Sequence, residues 1–166
     1  MTGLSVRVAA VADALAVEQV LHASYPALMA AAYDSAVLER ALPLMTRAQP
    51  DLLGSGRYYL CEAEGVAVGC GGWSFEKPGG EQLEPGIAHI RHFATHPDWI
   101  GRGVGRALFG RCEEAARAAG VRAFECYASL NGEAFYAALG FTRIAPIDVA
   151  MGPAVRLPSI LMRRPL

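Results

Sequence analysis

The feature that most constrains this chain is a strand that runs into a glycine-rich turn and then into an amphipathic helix. Ile87 to Thr95 reads as a strand that stops at His96-Pro97. Gly101-Arg102-Gly103-Val104-Gly105 follows. Val104, Ala107, Leu108, Arg111, Cys112 and Ala115 then recur at helical spacing, up to Gly120, a natural C-terminal cap. The start of such a helix leaves backbone N–H groups unpaired and carries partial positive charge. Glycines let an anion come close to that backbone, and Arg102 and Arg106 add charge that pairs with phosphate oxygens. A bare G-x-G-x-G run is also what a plain tight turn looks like. No Gly-Lys-Ser/Thr follows, so it is not the phosphate loop of nucleoside triphosphatases. The strand sits mid-chain after a hairpin with no second β-α-β half, which argues against a dinucleotide fingerprint.

The rest of the chain supplies a sheet and its covering helices. Leu4 to Ala9 reads as a first strand. Asp13 caps a helix with Val17, Val20, Leu21 and Ser24 on one face, punctuated by Pro26. Asp34 and Ser35 cap a second helix through Val37, Leu38, Ala41 and Leu42, and Pro43 and Pro50 end that region. Tyr58 to Ala63 and Val66 to Phe75 form a hairpin across Glu64-Gly65, and Lys77 to Gly86 is a loop. Val121 to Ala128 is a further strand, Gly132 to Leu139 a short helix closed by Gly140, and Phe141 to Ile147 and Val155 to Met162 are closing strands. The expected class is α/β, with one domain over residues 1–166.

Composition narrows the function classes. Hydrophobic residues make up 53% and charged residues 19%, which excludes a disordered chain. A net charge of -1 argues against a broad nucleic-acid or anionic-membrane footprint. Cys61, Cys70, Cys112 and Cys126 show no C-x-x-C and no metal-ligand spacing, so they read as small apolar residues of a reduced core, with no metal expected. No apolar run is long enough to span a bilayer, and Arg7 and Asp13 interrupt the apolar N-terminal stretch. The expected location is the cytoplasm, with a homodimer left open.

Three pieces, Phe93-Ala94-Thr95-His96-Pro97, Arg102-Gly103-Val104-Gly105-Arg106-Ala107-Leu108 and Phe135-Tyr136-Ala137-Ala138-Leu139-Gly140-Phe141, occur in that order between Ile90 and Phe141. Together they resemble the core of the GNAT superfamily of N-acetyltransferases. The resemblance implies a mixed, mostly antiparallel sheet of about seven strands flanked by helices, with the fourth and fifth strands splayed. It implies acetyl-CoA as cosubstrate and a primary amine, on a small molecule or peptide, as acceptor. The pantetheine arm would run along Phe93, Ala94 and Thr95, pairing with the backbone at Phe93 and Thr95. The pyrophosphate would sit on the N–H groups of Gly101, Arg102, Gly103, Val104, Gly105 and Arg106. The chain departs from the family pattern at Ile100, where a polar side chain is common, so Arg102 or Arg106 has to compensate. Ser129 stands where relatives often carry asparagine, with Asn131 two residues on, and either is a cofactor contact.

Acetyl transfer needs a deprotonated amine and a proton or hydrogen bond for the departing thiolate. The resemblance places the hydroxyl of Tyr136 at the coenzyme sulfur. His89 matches a position where relatives often carry glutamate. Period-two geometry puts it on the face of Phe93 and puts His92 on the other face, as a structural residue. Glu84 and Glu125 are alternative bases, and water is another. Tyr25, Tyr33, Trp73 and Phe75 are candidates for an acceptor pocket or for core packing. A non-catalytic acyl-CoA-binding module and an unrelated α/β nucleotide-binding module are the competing functions.

Overall fold

The computed structural model describes residues 3–166. In chain order the elements are β1 (Leu4–Val8), α1 (Ala14–Met29), α2 (Ser35–Met45), α3 (Pro50–Leu53), β2 (Tyr58–Ala63), β3 (Val66–Ser74), β4 (Ile87–Thr95), α4 (Val104–Ala118), β5 (Ala123–Ser129), α5 (Glu133–Ala138), β6 (Thr142–Ala150) and β7 (Arg156–Pro165). The strands form one seven-stranded sheet in the order β1-β2-β3-β4-β5-β7-β6. Every neighbouring pair is antiparallel except β4 and β5, which are parallel and joined through α4.

Helices cover both faces. On one face α4 and α5 bury Leu108, Phe109, Cys112 and Tyr136 against Trp73, Ile90, Phe124 and Cys126. On the other face α1 buries Val17, Val20 and Leu21 against Tyr58, Leu60, Cys70 and Ala94. A third cluster joins Met29, Leu38 and Ala41 to Leu157 of β7.

The prolines behave differently from the sequence reading. Helix α1 continues through Pro26 to Met29, and α2 continues through Pro43 to Met45. Each proline removes one intrahelical N–H donor. Packing outweighs that cost, because Ser24 and Met29, on either side of Pro26, are buried. Pro50 opens the short helix α3 instead of simply ending a region, as a proline at the first helical position can.

One irregularity positions the site. Between β3 and β4 the register steps from Cys70–Ala94 to Gly72–Arg91, so His92 and Phe93 together oppose Gly71. This is a β-bulge on β4, and His92 adopts φ 55° there, an uncommon angle for a residue with a side chain. The ring of Phe93 lies across Gly71, where an added Cβ would sit 2.4 Å from Phe93 Cδ1. Glycine is required at position 71 for that close approach.

Gly71→Ala is expected to destabilise by about 1–3 kcal/mol through overpacking, a loss of roughly 2–4 °C in thermal midpoint per kcal/mol. The cost should shrink in a Phe93→Ala background, because the ring it collides with is gone. Equal costs in both backgrounds, measured by thermal unfolding, would show that the contact over Gly71 is not what the position serves.

Candidate functional site

Strands β4 and β5 pair only from Ile87–Ala123 to His89–Glu125. Beyond that point β4 runs on to Thr95 and β5 to Ser129, without pairing. The resulting wedge opens into two cavities. One, of about 550 Å³, is lined by Phe93, Ala94 and Thr95 of β4, by Ile100, Gly101, Gly103, Val104, Gly105 and Arg106 of the turn, and by Ser129, Asn131, Phe135 and Tyr136.

The floor of this cavity is the start of α4. The first intrahelical bond runs from Ala107 N–H to the Gly103 carbonyl at 2.9 Å, and no side chain caps the helix. The N–H groups of Val104, Gly105 and Arg106 therefore have no partner in the helix. Gly101 and Gly103 have φ 75° and 86°, and nothing lies within 4 Å of where their Cβ atoms would be. That is an open, electropositive cradle for an anion. Gly105 serves a different purpose: a Cβ there would stand 2.6 Å from the Phe135 ring, so its absence lets α5 close against α4.

The second cavity, of about 340 Å³, lies toward α1 and α2. Its lining includes Met29, Met45, Gln49, Arg91, His92 and Leu157. The two cavities share Tyr25, Phe93, Ser129 and Tyr136, so they meet at these side chains. Tyr25 donates from its hydroxyl to the Phe93 carbonyl at 2.8 Å, which ties α1 to the bulge. Tyr58 donates to the His92 carbonyl at 2.8 Å. Tyr136 packs edge-on against Phe93, Phe135 and Phe141. Burial, and then the neighbouring Cys126, push the Tyr136 hydroxyl pKa well above the ordinary phenol value.

This architecture has known counterparts. The family model for the acetyltransferase (GNAT) domain matches residues 54–143, more than half of the chain. The chain belongs to the GNAT acetyltransferase family. It is 33% identical over 82 residues to an IAA acetyltransferase of Azospirillum brasilense, a match that spans 49% of this chain and 47% of that relative's length. Among solved structures, a GCN5-related N-acetyltransferase from Rhodopseudomonas palustris superposes with a TM-score of 0.79 at 24% identity, over 100% of this chain and 96% of that one. A PaiA N-acetyltransferase from Thermoplasma acidophilum, in complex with coenzyme A, gives a TM-score of 0.75 at 13% identity over 99% of each chain. These two likenesses speak for the fold.

Most residues expected from the GNAT motifs converge on the wedge, with two corrections. Arg102 is exposed and does not line the cavity; its guanidinium stacks 4.8 Å from the Trp99 ring. Arg106 does line it, together with Ile100. Ser129 and Asn131 both line the larger cavity, and Ser129 reaches the smaller one as well.

The second correction concerns the histidines. The bulge breaks the alternation of β4. His89 and His92 lie on the α1 side, and Phe93 turns to the α4 side. His89 is 1% exposed, sits beside Tyr127 and lines neither cavity. Its Nε2 is buried without a partner, and burial lowers its pKa below the ordinary histidine value. His92, read as structural from the sequence, lines the smaller cavity. Its Nε2 is 2.7 Å from the Met45 carbonyl. A carbonyl only accepts, so Nε2 carries a hydrogen, and in the neutral ring Nδ1 keeps its lone pair.

The other candidates separate cleanly. Tyr25 lines both cavities. Trp73 is core, with Phe75 packed against it, and Arg57 stacks on both rings. Tyr33 donates to the Pro158 carbonyl at 2.6 Å and accepts from Leu130 N–H at 2.8 Å, a structural role. Glu125 is held by Arg163. No helix among the described residues is long and apolar enough to cross a membrane.

A negative side chain at Gly103 would occupy the open cradle. Gly103→Glu should abolish the rise in thermal midpoint that CoA gives by mass action. Gly103→Ala carries the same backbone strain without the charge and should keep most of that rise. If the glutamate variant responds to CoA like the parent, the phosphates do not sit on the start of α4.

Proposed function

We propose that the chain is an N-acetyltransferase that moves an acetyl group from acetyl-CoA to a primary amine, by direct attack in a ternary complex. The observation that carries this reading is the meeting of two cavities at Tyr136 and Phe93, one floored by the bare start of α4 and the other lined by His92. The CoA complex of the PaiA acetyltransferase supports acetyl-CoA as the donor. When bound, acetyl-CoA supplies a thioester whose acetyl group passes to the amine and whose sulfur leaves as a thiolate.

The protein's residues then have separate tasks. The N–H groups of Val104, Gly105 and Arg106, with the Arg106 guanidinium, hold the phosphates. The unpaired strand edge of β4 past His89 receives the pantetheine arm, as an added strand would pair. Tyr136 is kept protonated by burial and donates from its hydroxyl to the sulfur as negative charge develops there. His92, neutral because burial lowers its pKa, accepts the amine proton at Nδ1, directly or through water. We assign this task to His92 in place of His89 because His92 lines the acceptor cavity and His89 lines neither. A purely CoA-binding module has no use for a protonated phenol and a neutral imidazole on either side of the seam. Four buried, unpaired cysteines accord with a reducing compartment such as the cytoplasm.

Tyr136→Phe removes only the hydroxyl. Fold and CoA affinity should persist, while the single-turnover rate falls by about 10²-fold if proton donation limits it. An unchanged chemical step would take the hydroxyl out of the reaction.

The pH profile tests the base. His92 must be neutral to accept a proton, so the rate should rise with pH through an ionisation below the ordinary histidine value of 6.5. His92→Asn should remove that limb. The amine itself gives a second limb, which two acceptors of different basicity will identify because it moves with the acceptor. A low limb that survives His92→Asn and vanishes in His89→Asn would return the role to His89.

A further inference from the structure

The acceptor-side cavity has an unbalanced charge. Among the side chains that line it, Arg91 alone carries a full charge, and no aspartate or glutamate is present. The guanidinium is held by neutral groups: NH1 donates to Ser74 Oγ at 2.9 Å and NH2 to Gln49 Oε1 at 3.1 Å. Gln49 lines the same cavity. Glu76 acts on Arg91 through its charge, but no ion pair joins the two. Burial pushes the Arg91 pKa down, so its desolvation is not fully offset by the protein. A half-buried cation without a carboxylate partner leaves room for something else to supply the negative charge.

The rest of the lining limits what that partner can be. Met29, Met45, Val149, Met151 and Leu157 make the walls apolar. Arg91 and His92 are adjacent on β4, and Phe93 follows at the seam with the cofactor cavity. An amine delivered to the seam therefore has Arg91 within the reach of a small molecule. Resting on the transferase reading above, we infer that the acceptor is an amine that also bears a carboxylate and an apolar side chain, a free apolar amino acid. Arg91, steadied by Gln49 and Ser74, takes the carboxylate through paired N–H donors. The methionine-lined walls take the side chain, and the amine faces the seam beside His92. A basic or polyamine acceptor is disfavoured, because the lining offers it no anion and one repelling cation.

The test compares matched acceptors on the intact protein with saturating acetyl-CoA, using release of free thiol. L-leucine is set against L-leucinamide and 3-methylbutylamine, which keep the amine and side chain but lose the carboxylate. Binding of each to the protein in saturating CoA is measured in parallel by calorimetry. The expected result is a preference for leucine of about 10- to 100-fold in kcat/KM, the worth of a charge-assisted hydrogen-bond pair. Arg91→Gln should erase the preference, mainly through KM, with CoA affinity unchanged, and Arg91→Lys should restore part of it. The comparison among acceptors on the parent protein decides the matter even if a variant folds poorly. Turnover of the amide or the plain amine at or above the level of leucine overturns the inference while leaving the transferase reading intact. Binding of leucine to the CoA complex with no thiol released keeps the carboxylate site and overturns the transferase reading. Leucine that neither binds nor reacts overturns the inference.

Discussion

Hydrogen bonding between β4 and β5 stops at the His89–Glu125 pair, although both strands continue. A bulge bends and twists the strand that carries it, and here it falls just past the last pair, where His92 and Phe93 share the place opposite Gly71. The strands diverge and leave backbone groups of β4 facing a gap. Two carbonyls at the bulge are claimed from the protein itself, His92 by Tyr58 and Phe93 by Tyr25. Those hydroxyls hold the bulge in place, and Tyr25 also ties the last turns of α1 to it. The same local event puts His92 into one cavity and the Phe93 ring into the wall of the other.

The strain at His92, a side-chain-bearing residue at φ 55°, is offset by its surroundings. Its ring lies between Tyr25 and Tyr58, and its Nε2 bonds the Met45 carbonyl. Gly71 makes room for Phe93, and Gly105 makes room for Phe135. The aromatic group Phe93, Phe135, Tyr136 and Phe141 thus rests on missing side chains in β3 and α4. Removing side chains at those positions is what lets a large aromatic wall stand beside a bare helix start.

Much of this could be read from the sequence. The strand, the glycine turn, the amphipathic helix and the Phe135–Phe141 segment with Tyr136 were all legible, and they line one cavity of the wedge. The mixed, mostly antiparallel sheet and the splay came from the resemblance to the GNAT family, whose model matches residues 54–143, while the order of the strands came only from the fold. The lining of the smaller cavity was not readable, and the reason is physical. Period two assigns faces only while pairing is regular, and an inserted residue reverses every face beyond it. His89 therefore does not share the face of Phe93, and His92, expected to point away from the site, lines a cavity. The signal that could have warned of this is the run Gly69-Cys70-Gly71-Gly72 in the facing strand, since glycine within a strand often marks a bulge or close approach. Arg91 and Gln49 lie far apart in sequence and carry no motif, so only the fold brings them to one cavity.

The central claim is that the wedge between β4 and β5, floored by the bare start of α4, is where coenzyme A binds. The most direct measurement is a backbone amide titration with CoA by two-dimensional NMR. Direct hydrogen bonds to phosphate and to an added arm should give the largest shifts at Val104, Gly105 and Arg106, with further shifts along Phe93 to Thr95 and at Ser129. The amides of β1 and β6, at the two edges of the sheet, should hardly move. Shifts that gather at a sheet edge, or a start of α4 that does not respond to saturating CoA, would contradict the account.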